Sequence, residues 1–314
     1  METFRGLQSV DSGNRALAML ACMKAYSLDD VRATCKPKDS WWTVFLVDPV
    51  ACRLTLLVAN RTDITPNGLS RFSLVLGLAA AVAFAAGRLA AGAVLFYLSF
   101  MVDCMDGKIA RLKGTGTPFG LWADYLGDRV RVACCAAGLA SGQYAVTGDL
   151  AYVLFGTGVT VLDLFRYVNA PQMKRVRDAV RERWEAQGYV ATPQGFVPVA
   201  QASGAAGAVP GGGAAAGTPA VRPVRGLLGR YRLIGPFLAR YRVRTHLVSG
   251  IEFHAAVFVV APLLGPRALM PVSAAAGALL LLNEFYLIFR LWRFARTPVP
   301  AVPVRQRQPE RVPA

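Results

Sequence analysis

The sequence predicts an all-α, polytopic membrane protein with six transmembrane helices preceded by an interfacial amphipathic helix. Three observations carry this. Hydrophobic residues fill 54% of the 314 positions and charged residues only 17%, with a mean hydropathy of +0.38; a soluble domain carries about 25% charge. The apolar residues gather into runs of about 20, the length that crosses hydrocarbon. The net charge of +16 lies at the edges of those runs. It is not interleaved with aromatics on a polar domain, which excludes a nucleic-acid partner and fits a multi-span protein.

Residues 1–35 read as an N-terminal extension. Their apolar patch, Ala16 to Met23, is preceded by Glu2 and Asp11 and followed by no small-x-small cleavage site, unlike a signal peptide. Residues 36–62 form the interfacial segment: Lys36 and Lys38 precede Trp41-Trp42, and Val50 to Asn60 follows Pro49 with Arg53 on its polar side. That stretch is short and interrupted for a span, so it is placed on the membrane surface with the Trp pair at headgroup depth.

Residues 63–169 hold spans one to four. In Ile64-Thr65-Pro66-Asn67 a capping Thr65 or Asn67 and a first-turn Pro66 mark a helix start. The spans run from about 69 to 87, 89 to 111, 118 to 140 and 150 to 168. Residues 170–246 form a loop: 171–187 is charged and helical, 192–226 is an Ala/Gly/Pro-rich linker, and 227–244 is basic and amphipathic. Residues 247–289 carry spans five and six, and 290–314 is a basic, Pro-rich, disordered tail. Of the 35 Lys and Arg, only Arg88 and Arg267 fall in the loops between odd and even spans. By the positive-inside tendency the 170–246 loop and the 112–117 turn face the cytoplasm of a multi-pass protein of the cell membrane.

One stretch, Asp103 to Asp128, stands out for its four carboxylates in apolar surroundings: Asp103, Asp106, Asp124 and Asp128. Spacings of three and four put each pair on one helix face, and Thr115 to Pro118 reads as a turn between them. Two acidic faces meeting in a low-dielectric site would repel strongly. Divalent cations with oxygen ligands relieve that and leave room for substrate phosphates. Gly107 and Ala110 leave space beside the backbone, Arg111 offers a forked cation suited to phosphate, and Gly120 lets the second helix of the pair start close to the first. A pair of solvated acidic helices would suit these residues too, but the flanks are too apolar for it.

The arrangement D-x2-D-G-x2-A-R-x8-G-x3-D-x3-D resembles the signature of the CDP-alcohol phosphotransferase (CDP-alcohol phosphatidyltransferase) family at all eight fixed positions. The upstream I-T-P-N run and the interfacial helix extend the resemblance through the third span. It implies an integral membrane enzyme of phospholipid biosynthesis. Such an enzyme transfers the phosphoalcohol group of a CDP-linked donor, such as CDP-diacylglycerol, to an alcohol acceptor and releases CMP. Carried over by position, Asp103, Asp106, Asp124 and Asp128 would ligate two Mg²⁺ (or Mn²⁺) ions. Asp128 would also be the base, and Gly107, Ala110 and Arg111 would hold the cytidine diphosphate. The expected partners are the CDP-alcohol donor, an acceptor such as a phosphorylated polyol, membrane lipids and, in a homodimer, a second copy. The active site would face the cytoplasm, where nucleotide-activated substrates are found.

A cation-coupled transporter is the alternative, since it too presents intramembrane carboxylates; it would show internal repeats, and the acidic signature occurs once. The six cysteines include no C-x-x-C pair, so a disulfide framework or zinc site is not expected, and Cys104 is read as a packing residue. Among the other polar residues in spans, Arg129 and Arg166 are candidates for touching substrate. Asp163 is expected to neutralise Arg166. Glu252, His254, Asn283 and Glu284 suit hydrogen bonding between helices.

Overall fold

The computed structural model describes residues 25–192, 195–198, 240–244 and 248–296. It contains α1 (Leu28–Ala33), α2 (Thr43–Arg61), α3 (Pro66–Ala85), α4 (Leu89–Lys113), α5 (Pro118–Thr147) and α6 (Ala151–Ala186). A hairpin of β1 (Tyr189–Thr192) and β2 (Gly195–Pro198) follows, then α7 (Gly250–Leu264) and α8 (Pro266–Ala295). Among the described residues, α2, α3, α4, α6 and α8 are long and apolar enough to cross a membrane. α5 has the length, at 30 residues, but carries Asp124, Asp128, Arg129 and Arg131 within its first half. The protein is an all-α, multi-pass membrane protein, and its exposed large side chains on these helices, such as Val82, Leu154 and Leu282, are the apolar ones that hydrocarbon solvates.

Local chemistry explains the boundaries. Thr65 caps α3, its side chain accepting from the Gly68 amide, with Pro66 in the first turn where a missing N–H costs nothing. Gly114 ends α4 in the left-handed region (φ 64), which glycine adopts without a Cβ clash. Thr117 then caps α5 by accepting from the Gly120 amide at 3.0 Å.

Four expectations are corrected. The interfacial segment is not broken at Pro49. A π turn over Thr43–Val47 runs directly into the helix from Asp48, placing the proline in its first turn, and the resulting Thr43–Arg61 helix is long enough to cross a membrane. The third helix runs to Thr147 rather than 140. The fourth span and the charged 171–187 helix are one element, α6, which continues past Pro171. The start of the expected linker is instead the β1–β2 hairpin, with Tyr189 opposite Pro198 and Thr192 opposite Gly195. The extension up to residue 24, most of the linker and basic segment (199–239), and the tail from 297 lie outside the described residues.

The chain divides into two compact units. One comprises Met1–Thr160 with Ala239–Gly277 and contains the acidic stretch. Its inner packing rests on small residues. A Cβ at Gly138 would lie 2.2 Å from the Ala81 carbonyl oxygen, and one at Gly142 2.1 Å from that of Phe84, so α3 and α5 touch backbone to backbone. Val47, Ala51, Leu69, Met101, Val102, Met105 and Ile109 form an apolar core between α2, α3 and α4, and Cys104 packs against it as expected. The other unit comprises Val161–Leu238 with Ala278–Ala314. There Glu284, 3% exposed, accepts from Asn169 at 3.0 Å and meets Arg166 at 3.6 Å. Arg166 thus joins a helix-to-helix polar contact of the kind expected for Glu284.

Candidate active site

The signature folds as the helical hairpin that its spacing predicts. Asp103 and Asp106 lie on α4 and Asp124 and Asp128 on α5. Oxygen atoms of Asp103, Asp106 and Asp124 lie within 4.8 Å of one another. At that distance two ionised carboxylates repel by about 3 kcal/mol at an effective dielectric of about 20. A hard, all-oxygen trio under such repulsion fits a divalent cation of the Mg²⁺ or Mn²⁺ type.

Asp128 stands apart from the trio. It accepts a hydrogen bond from Arg131 one turn on, and its other oxygen lies 3.8 Å from Arg129. Arg131 is 4% exposed and also donates to Asp103 at 3.3 Å and to the hydroxyls of Ser73 and Ser99 at 2.9 and 3.3 Å. It therefore spans the two carboxylates that open and close the signature. The Ser70 hydroxyl donates to Asp106. Sequence reasoning singled out Arg129 and overlooked how Arg131 and the serines of α3 and α4 converge. One signal was available: Arg131 is seven residues after Asp124 and three after Asp128, on the same stripe of the helix.

Two cavities flank the carboxylates. The larger, about 490 Å³, is lined by Gly107, Ala110 and Arg111 together with Asp106 and Asp124. The smaller, about 160 Å³, is lined by Asp103, Asp124 and Asp128 with Arg71 and Arg131. Arg111 lies along the glycine of its own helix: a Cβ at Gly107 would meet its guanidinium at 3.3 Å. Its Nε donates to the Thr34 carbonyl at 2.7 Å, so the segment after α1 holds the arginine in place. Gly120 acts differently from expectation. A Cβ there would meet the side chains of Asn67 and Thr117 at 3.0 Å, so the small residue admits α3 rather than α4.

Two other polar groups have structural partners. Glu252 closes a capping box with Ser249 at the start of α7. His254 lies against Phe253 and Phe258, with ring centroids 5.9 and 6.2 Å away.

The fold and site define a class: a polytopic membrane protein with an acidic helical hairpin flanked by two cavities. Residues 63–188 match the family model of CDP-alcohol phosphatidyltransferase. A curated relative is the archaetidylinositol phosphate synthase of Methanothermobacter thermautotrophicus, 30% identical over 105 residues. The match takes in 33% of this chain and 54% of that protein, so the chain spans about half the length of the curated relative it matches. Among solved structures, the phosphatidylinositol phosphate synthase of Mycobacterium tuberculosis in apo form is 20% identical over 80% of this chain and 99% of that one, with a TM-score of 0.37. The same enzyme with CDP-DAG bound is 19% identical over 81% and 98%, also at 0.37.

Proposed function

We propose that this protein is a CDP-alcohol phosphotransferase. It moves the phosphoalcohol group of a CDP-linked donor, CDP-diacylglycerol in the first instance, to the hydroxyl of an acceptor alcohol and releases CMP. The observation that carries this reading is the carboxylate trio standing between two cavities, one lined by Gly107, Ala110 and Arg111 and the other by Asp128.

Asp103, Asp106 and Asp124 are the residues that would hold the cations, with Asp128 as a further ligand to the second of two ions. When bound, Mg²⁺ or Mn²⁺ neutralises the diphosphate and the departing CMP. The chain's own residues do the rest. Arg111, fixed by the Thr34 carbonyl, grips a phosphate of the donor, while Gly107 and Ala110 leave the backbone open to it. Asp128, oriented by Arg131, takes the proton of the acceptor hydroxyl in the smaller cavity. The freed oxygen bonds to the phosphorus that carries the donor alcohol, and the bond from that phosphorus to the CMP oxygen breaks. Arg71 beside that cavity suits an anionic acceptor, which favours a phosphorylated polyol over a neutral alcohol. The six-span topology, a cytoplasmic site in the cell membrane and a homodimer belong to the same proposal.

The test is to supply membranes containing the protein with CDP-diacylglycerol, Mg²⁺ and a panel of acceptors, and to identify the lipid product by mass. CMP release that depends on acceptor and stops in EDTA is expected. No CMP release with any acceptor would refute the reading.

A further inference from the structure

Outside the acidic site, one cluster of reactive side chains among the described residues is brought together from separate elements. Cys35, just after α1, and Cys52, on α2, have sulfur atoms 3.7 Å apart. Asp48 completes the group. A cavity of about 390 Å³ opens beside it, lined by both cysteines with Arg32, Arg53 and Arg242.

The surroundings decide between a metal and a thiol reaction. Both Asp48 oxygens are already engaged by cations: Lys108 at 2.8 Å on one and Arg242 at 3.6 Å on the other. A metal ion would have to displace them and would sit among guanidinium groups. Those same cations stabilise a thiolate. The Cys35 thiol is lowered to about 6, chiefly by the Cys52 hydrogen bond and further by Lys108 and Arg242, against the raising effects of burial and Asp48.

We propose that Cys35 and Cys52 are a reversible oxidation site for a hydroperoxide, and that the disulfide formed there loosens the grip of Thr34 on Arg111. The Cys35 thiolate attacks the peroxide oxygen, giving a sulfenic acid and, with a proton from solvent, an alcohol (water, for hydrogen peroxide). The Cys52 thiol then attacks that sulfur, the S–S bond forms and water leaves. The peroxide is reduced by two electrons as the two thiols are oxidised.

The consequence follows from distance. Bonding draws the sulfurs from 3.7 Å to about 2.05 Å. Cys52 is 6% exposed on a long helix, whereas α1 has six residues and buries only Val31, so the Cys35 side moves. Thr34 is its neighbour, and the Arg111 hydrogen bond to the Thr34 carbonyl is 2.7 Å. A displacement of about 1 Å carries that contact beyond the usual limit of about 3.2 Å. This last link rests on the proposed role of Arg111 in holding the donor.

The experiment uses the full chain in lipid vesicles, exposed to hydrogen peroxide, blocked with N-ethylmaleimide and digested for mass spectrometry. The expected product is a linked Cys35–Cys52 peptide pair, two mass units below the sum of the reduced peptides and reversed by dithiothreitol. The apparent KM for CDP-diacylglycerol should rise several-fold, with kcat changed less than two-fold. Cys35→Ser and Cys52→Ser should each abolish both effects while keeping the reduced activity. Separate oxidation of either thiol without the link, or zinc retained stoichiometrically by both cysteines, overturns the oxidation site. A link with unchanged KM overturns the coupling to Arg111. Peptide mapping decides the thiol chemistry whether or not the protein turns over this donor, so the two readings fail separately.

Discussion

Replacing Arg131 with glutamine removes the only cation shown to bridge Asp103 and Asp128 among the described residues. The arginine side chain is 5% exposed and the carboxylates 18% and 27%. Removing one partner of a buried ion pair costs about 3–5 kcal/mol, and the partial exposure of the carboxylates puts this case near about 3 kcal/mol. At about 2–4 °C per kcal/mol, the melting temperature in chelator should fall on the order of 10 °C. The loss has a particular remedy. A divalent cation held as proposed would compensate the same carboxylates, so adding Mg²⁺ should recover more stability in Arg131→Gln than in the parent protein. Thermal unfolding of detergent-solubilised protein, with EDTA and across a Mg²⁺ titration, reads both quantities. An equal deficit with and without Mg²⁺ would mean that Arg131 and the metal do not share ligands.

Three further outcomes are expected. Gly142→Leu places a Cβ 2.1 Å from the Phe84 carbonyl oxygen, so α3 and α5 must separate, and the variant should unfold at markedly lower temperature or fail to accumulate in membranes. Lys108→Met leaves Asp48, whose side chain is 9% exposed, with the longer 3.6 Å contact to Arg242; it should cost up to about 3 kcal/mol, and Asp48→Leu in the same chain should restore most of it, as judged by thermal unfolding. Alkylation of Cys35 by iodoacetamide should rise with pH to a plateau with its midpoint near 6, since the thiolate reacts; Cys52→Ala should move the midpoint toward about 8.5, and an unmoved midpoint would deny the hydrogen bond its role.

The carboxylate trio was legible because helix spacing is a local property. Residues three and four apart share a face whatever surrounds them, and apolar flanks said that the faces turn inward. The start of α3 was legible for a similar reason, since Thr65 and Pro66 act on their own helix. What stayed hidden depends on contacts between distant residues. Ser73 reaches Ser99 and Asp103 across 26 and 30 positions, and hydroxyls are common in membrane helices, so neither residue announces a role. Cys35 and Cys52 stand 17 residues apart on different elements, in a spacing that matches no motif. The run through Pro49 escaped because a π turn changes the hydrogen-bond register, which side-chain periodicity does not record.

The short segment before α7 has a consequence for how the protein is made. Arg242, in the left-handed region at φ 59, donates to the Lys36 carbonyl, and Val243 forms a parallel bridge with Asp39. Arg242 and Arg244 donate to carbonyls 206 residues earlier. At about 5–20 residues per second, a ribosome needs roughly 10–40 s to bridge that gap. During that interval the 36–39 segment emerges without its partner, although Lys108 has already arrived to meet Asp48. A nascent chain arrested before residue 240 would therefore present that segment to chaperones or proteases, and one arrested well past residue 244 would not. The last helices to enter the membrane would thus be preceded by the segment that closes the first elbow of the chain.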